Sequence, residues 1–250
     1  MRAVKLLRLT NSSDVHPGVR PELRAPAVAE RYIAEATGEQ VETIQRALWP
    51  TETFPAVLER WLDQHEPDVV LVRLSSFWVA YESVPLRIGN RLGRMGGPVT
   101  TAGIRIGDRP WLVERKAFKA ARKVVVRTVG GDTYFTPAEA AGVLEETFRR
   151  IVARESVLPV VRGTGLILNS SGTKAGFRRS LARVAELNRL TLSACEKYHI
   201  AFSPEEPSEV ESTSRQADEL HDAAGAHALI GAAEGKLITE AWLAGRASIR

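Results

Sequence analysis

Residues 68–74, DVVLVRL, set four aliphatic side chains in succession. A strand with one wet face alternates apolar and polar side chains. One that is apolar at every step needs cover on both faces, which a parallel sheet between two helical layers provides. The flanking pattern agrees. Phe54, Val57, Leu58, Trp61 and Leu62 recur at spacings of three and four and predict a helix over 53–65. Glu66 and Pro67 end it.

The same rhythm runs along most of the chain. Residues 4–9 read as a buried first strand. Residues 21–37 read as a helix, with Pro26 tolerable in its first turns and Gly38 as its stop. QVETIQRAL, residues 40–48, is a second strand. Thr136, Pro137 and Glu139 form a capping box that opens another helix. LPVVRGTGLILNSS, residues 158–171, contains a fourth strand, with Asn169 at its end. Phe177, Leu181, Val184 and Leu187 mark a long helix, and HIAFS, residues 199–203, a short fifth strand. An acidic loop at 204–211 precedes a last helix bearing Ile230, Ala233 and Leu237. Alternating strands and helices predict one α/β domain over residues 1–250, doubly wound on a parallel five-stranded sheet.

The rhythm breaks between Leu74 and Thr136. Residues 84–127 carry eleven Arg or Lys against Asp108 and Glu114, whereas the rest of the chain has 23 basic and 28 acidic residues. The basic character therefore belongs to an insertion at about 84–135 and not to the whole molecule. Three readings of it stand side by side. It is a lid, with Trp78, Tyr81 and Trp111 for apolar contact and arginines for an acidic group on the substrate. It is a self-association or membrane-surface element, since WLVERKAFKAARKVVV is basic and amphipathic. Or it is a solvated helical hairpin. The aromatics are not interleaved as a stacking platform and no recognised module is present, so no nucleic-acid partner is expected. GxGxxG and GxxxxGK[ST] are absent too, so no nucleotide fold is read.

No apolar run approaches the roughly eighteen residues of a transmembrane helix, and the N-terminal stretch does not read as a secretory signal. Cys195 is the only cysteine. No internal disulfide can form, and a reducing cytoplasm is the expected location.

In open α/β sheets, ligands bind beyond the carboxyl ends of the strands. Three polar segments fall there: residues 10–14, residues 75–78, and the stretch before the last helix, where Asp218 and His221 stand three apart. A serine hydroxyl attacks only once a base takes its proton, and that base needs a third group to fix its tautomer. The DELH spacing lets Asp218 hold one imidazole nitrogen of His221 while the other faces Ser12. A metal site from Asp218, His221, Asp222 and His227 is disfavoured, because a separation of six between the histidines misses the spacing of four that aligns ligands on a helix face. His227 reads as a surface or packing residue. His16, His65 and His199 have no partners in sequence.

With these residues in place, the chain resembles the SGNH or GDSL hydrolase family. The first strand followed by Thr10, Asn11 and Ser12 matches that family's opening block in position, with Ser12 three residues after Leu9. Asp218, His221 and the AAGAHALIGAA that follows match its last block. The resemblance implies a three-layer α/β/α flavodoxin-like fold and a Ser12–His221–Asp218 triad. It also implies cleavage of an ester or related acyl bond in a small acylated substrate, with no cofactor and no metal. Ser13 is the fallback nucleophile. Thr-Asn-Ser stands where the family has Gly-Asp-Ser, Phe77 stands where it has an oxyanion-hole asparagine, and LWPTETF offers no counterpart to its second-block glycine. Each missing donor costs on the order of 3 kcal/mol of transition-state stabilisation. The Ser12 amide, the hydroxyls of Thr51, Ser75 and Ser76, and Asn169 are the substitutes, with Asn11 and Ser13 beside them. An acyltransferase on the same intermediate and an inactive SGNH-like binding protein are the alternatives. Self-association through the insertion is open.

Overall fold

The computed structural model describes residues 3–10, 14, 18–92, 120–121, 124–125, 128, 130–165, 173–204 and 223–247. Five strands, β1 (Val4–Thr10), β2 (Val41–Ala47), β3 (Val69–Arg73), β4 (Leu158–Arg162) and β5 (Ala201–Ser203), form one parallel sheet in the order β2-β1-β3-β4-β5. The strand order reverses beside β1, and in open α/β sheets the carboxyl end of the strands at such a reversal is where ligands bind.

Helices cover both faces, giving three layers. On one face lie α1 (Ala25–Thr37) and the last helix, numbered α7 below (Ala224–Ala247). On the other lie α2 (Phe54–His65), α3 (Phe77–Ala80), α5 (Pro137–Val152) and α6 (Lys174–Lys197), with α4 (Val84–Leu92) starting the insertion. Strand alternation feeds each core. Leu7, Leu9, Val70, Val72 and Val161 pack on the α2/α5/α6 side, while Val4, Leu6, Val69, Leu71 and Val160 pack on the α1/α7 side with Ile33, Leu237 and Ile238.

Local chemistry sets the ends of these elements. Gly38 ends α1 at φ 72, a left-handed cap that glycine adopts without strain. The Thr136–Glu139 capping box is present in full, the Thr136 hydroxyl accepting from the Glu139 amide and Glu139 accepting from the Thr136 amide. Glycines draw α7 onto α1. A Cβ on Gly231 would lie 2.6 Å from the Ala25 carbonyl oxygen, and one on Gly235 2.7 Å from Tyr32 Cβ.

Three expectations need correction. The first helix starts at Ala25, after a 3-10 turn at Pro21–Leu23, which leaves Pro26 in its first turn; in a helix begun at residue 21 the Pro26 ring would clash with the carbonyl four residues back. β4 ends at Arg162, so Asn169, outside the described residues, follows the strand at a distance of seven residues. Gly163 follows, its amide donating to the Ser203 carbonyl at 2.8 Å, and a Cβ there would crowd Asn188 and Phe202 at 3.0 and 3.1 Å. Asn188 then brackets Thr164, accepting from its amide at 3.1 Å and donating to its carbonyl at 2.7 Å. Trp78 is a core residue and not a lid contact. It is 1% exposed, because α3 turns it inward beside Val79, and Ser180 of α6 donates to the Ala80 carbonyl at 3.2 Å.

The insertion is closed at its root. Ser83 and Asp132 exchange backbone hydrogen bonds of 2.9 and 3.1 Å, and Gly131 fits against Glu82 where a Cβ would sit at 2.9 Å. Trp111 lies outside the described residues. Among the described residues no helix is long and apolar enough to cross a membrane.

Candidate active site

The carboxyl end of β1, at Thr10, immediately precedes the first segment of the sequence-derived site. β2 stays paired there one residue past its end, the Leu48 amide donating to the Thr10 carbonyl at 2.8 Å. Asn11, Ser12 and Ser13 leave from this point. They lie outside the described residues, as do Asp218, His221 and Asn169. The residues that bracket them are described: Thr10 and Asp14 on one side, and α7 from Ala224 on the other.

The start of α7 is held against the start of α1. Ala25 donates its amide to Nδ1 of the buried His227 at 3.1 Å. A helix start leaves amides without intrahelical acceptors, and His227 satisfies one of them from the neighbouring helix. Because its Nδ1 accepts, the neutral ring carries its proton on Nε2. A triad histidine instead donates from Nδ1 to its carboxylate. His227 is thus a packing and capping residue, as one of the sequence readings had it.

At the carboxyl end of β1 lies a group of buried charges that motif reading missed. Arg8 and Thr10 of β1 and Arg73 of β3 occupy the α1/α7 face, continuing the parity of Leu6 and Leu71. Arg8 donates from Nε to Asp14 Oδ2 at 2.8 Å, and its Nη1 pairs with Glu234 of α7. Arg73 reaches Asp14 Oδ1 at 3.3 Å through Nη1 and Glu234 Oε1 at 3.6 Å through Nε. Each carboxylate thus meets both guanidinium groups. The Thr10 hydroxyl also donates to Asp14. Exposure is 0% for Arg8, Asp14 and Glu234 and 4% for Arg73. Burial by itself would push the Asp14 carboxyl up. The charges of Arg8 and Arg73, with hydrogen bonds from Arg8 and Thr10, outweigh it and hold the group down at about 2. Burial likewise works against the charge on Arg8, and Asp14 and Glu234 reverse that, leaving its pKa raised.

β4 adds a third buried arginine. Arg162 stands in register with Arg73, donates from Nη1 to the Ser203 hydroxyl at 2.6 Å and also reaches the Pro204 carbonyl.

The opposite face of the same edge is aromatic. Trp49 follows β2 and Phe77 follows β3, the two strands flanking β1, and their rings approach to 6.3 Å. Phe77 stacks on Tyr81 at 4.5 Å and on Tyr134 at 5.3 Å. Trp49 meets Tyr134 and Phe135 edge-on at 5.0 and 5.5 Å. Tyr81 and Tyr134 flank the root of the insertion.

Ser75 and Ser76 are both 6% exposed. The Ser75 hydroxyl accepts from the Phe77 amide at 3.3 Å, and the Ser76 amide donates to the Thr164 hydroxyl at 3.1 Å. Thr51 shares a hydrogen bond with the Thr53 hydroxyl at 3.1 Å. Phe77 contributes a ring where the family resemblance expects an amide.

Other reactive groups lie apart from this edge. Burial, with Glu196 nearby, pushes the Cys195 thiol up to about 12, so it is no thiolate at neutral pH. His65 shares a hydrogen bond with Arg46 at 2.8 Å, and burial together with Arg46 and Lys5 lowers its pKa. His199 takes a left-handed backbone at φ 56 after α6. Among the described residues no three His, Cys, Asp or Glu come together to hold a metal ion.

No protein-family model matches the chain. No curated protein matches it by sequence. Solved structures do match over nearly its whole length. TesA aligns with a TM-score of 0.56 and 13% identity over 95% of this chain and 99% of its own. The psychrotrophic esterase EstA from Pseudoalteromonas sp., inhibited by monoethylphosphonate, aligns with 0.55 and 15% over 96% and 98%. The inhibitor-bound aryl esterase of M. smegmatis aligns with 0.53 and 13% over 95% and 99%. The chain has an SGNH hydrolase-like fold. At such identities the likeness speaks to architecture, and the chemistry has to be argued from the chain's own residues.

Proposed function

We propose that this chain is a serine hydrolase of the SGNH type, cleaving an ester or related acyl bond. The observation that carries the reading is the seating of α7 against the start of α1 through the Ala25–His227 hydrogen bond. Asp218 and His221 stand six and three residues before that helix start in the sequence, and the reading has them meet Ser12 where β1 ends. The esterases that share the fold support the same class of chemistry.

In the proposed reaction His221 takes the Ser12 proton as Oγ adds to the acyl carbon, and Asp218 holds the imidazole and its positive charge. The tetrahedral adduct collapses, the alcohol leaves with the proton that His221 returns, and Ser12 carries the acyl group. Water then attacks with His221 again as base, releasing the acid and restoring the hydroxyl. The Ser12 amide is one oxyanion donor, and hydroxyls at the edge supply the remainder. The aromatic face serves the apolar part of the substrate. Deleting residues 89–122 of the basic insertion, rooted beside Tyr81 and Tyr134, separates its readings: a lid predicts a wider substrate range at unchanged oligomer mass, and a self-association element predicts a changed mass.

One observation favours a second reading. The Ser76 amide is committed to Thr164, and Phe77 is committed to its stack, which suits a binding protein on the same fold that has lost turnover. A fluorophosphonate probe separates the two when read with hydrolysis of short aryl acetates. The hydrolase reading expects labelling and turnover in the wild type and neither in Ser12→Ala. Labelling without turnover favours the second reading. Labelling that survives Ser12→Ala and vanishes in Ser13→Ala moves the nucleophile by one position, and no labelling in any form refutes the reading.

A further inference from the structure

A buried ion pair is weak evidence for stability, because desolvation offsets much of the attraction and apolar residues of like volume often serve as well. Two guanidinium groups and two carboxylates, all buried and joined crosswise, therefore invite an explanation beyond holding the sheet together. Their placement offers one. Asp14 lies two residues after Ser12. Glu234 lies in α7, whose first turn directly follows the loop of Asp218 and His221. Arg8 and Arg73 come from neighbouring strands that the sheet holds rigidly in register. Asp14, which follows Ser12 in the chain, and Glu234 of α7, which follows Asp218 and His221, are thus fastened to the same two side chains.

We propose that Asp14 and Glu234 are positioning residues, clamped by Arg8 and Arg73, that fix the Ser12 loop and helix α7 in one frame and so set the distance between Ser12 and His221. The inference rests on the hydrolase reading and deepens it. Neither carboxylate touches the reacting atoms. Asp14 acts through the short loop that ends on it, and Glu234 acts through α7, which the close seating of Gly231 and Gly235 on α1 keeps from sliding independently. A shift of about 1 Å between reacting groups costs on the order of a hundredfold in rate, so an anchor that holds both sides to the same rigid strands governs rate without governing substrate affinity.

The experiment compares Asp14→Asn, Glu234→Gln and the charge-conserving Glu234→Asp with wild type. It follows the rate constant of fluorophosphonate labelling at Ser12, the KM and kcat for an aryl acetate, and the melting temperature. The clamp predicts that Glu234→Asp, which keeps the charge and shortens the reach, melts close to wild type yet labels roughly tenfold more slowly and loses kcat at unchanged KM. Asp14→Asn, where it folds, should lose about a hundredfold. Glu234→Gln, which keeps the reach and removes the charge, should also label more slowly than wild type. Folded variants that label at the wild-type rate overturn the clamp while leaving the hydrolase reading intact. A wild type that does not label, or a Ser12→Ala variant that does, overturns the nucleophile assignment and the positioning role with it.

Discussion

The two faces of the sheet are alike along most of its depth and differ at the carboxyl edge. Lower down, both are aliphatic: Leu6, Val69, Leu71 and Val160 on the α1/α7 side, and Leu7, Leu9, Val70 and Val161 on the other. At the edge, the first side becomes ionic, with Arg8, Asp14, Arg73 and Glu234 all buried. The second becomes aromatic, with Trp49, Phe77, Tyr81 and Tyr134 partly open to solvent. One position along β1 or β3 decides which environment a side chain enters. The proposed active site leaves β1 along this seam, so one wall can hold geometry while the other meets substrate.

The largest expected break in this comparison is on the ionic wall. Arg73→Met strands two buried carboxylates on a single guanidinium and should cost about 3–5 kcal/mol, a drop of roughly 10 °C for a chain of this size. Urea denaturation reads it, and a loss below about 1 kcal/mol would make the two walls energetically equivalent.

Acid should weaken the same wall next. The Asp14 carboxyl is held at about 2 against an ordinary 3.8. Its folded-state pKa is depressed, so its contribution is fully present above about pH 4 and disappears as pH falls toward 2. The size is about 2 kcal/mol. Unfolding free energies measured between pH 5 and pH 2 should show this slope in wild type and lack it in Asp14→Asn; parallel curves would remove Asp14 from the network.

On the aromatic wall, Phe77→Ala removes a half-buried ring and its two stacking partners. It should cost about 2 kcal/mol, less than a fully buried Phe→Ala. Its larger mark should fall on KM for aryl esters, and an unchanged KM would separate this wall from substrate contact.

The smallest effect is a control for burial. Glu146 on α5 is also held at about 2, by hydrogen bonds from Arg149 and Arg150, but on an exposed helix surface. Glu146→Gln should leave the melting temperature unchanged, since water already solvates that charge. A change comparable to the Asp14 variant would show that pairing matters here and burial does not.

What was legible in the sequence follows the same division. DVVLVRL required cover on both faces because four aliphatic residues follow one another in it, and the parallel sheet followed. Thr136, Pro137 and Glu139 announced a helix start through bonds spanning three residues, and Gly38 announced a stop. These signals are local. The ionic wall is not: Asp14 reads as a turn residue, Glu234 as an isolated acid in an apolar helix, and Arg8 and Arg73 as polar ends of strands. Only the fold brings residue 8 to residue 234. Trp78 misled for a related reason, since α3 is a single turn that reverses the direction its polar surroundings imply. The end of β4 is set by Gly163 packing against α6 and β5, which no spacing within LPVVRGTGLILNSS reveals. For the candidate site the sequence offered residue types after the first strand and before the last helix; Ser12, Asp218 and His221 themselves lie outside the described residues.

The most direct measurement maps the fluorophosphonate adduct by mass spectrometry in wild type and in His221→Ala. A single adduct on the peptide containing Ser12, formed rapidly in wild type and at least a hundredfold more slowly without the imidazole, is the result expected. An adduct on a different peptide, or equal labelling with and without His221, would contradict the account.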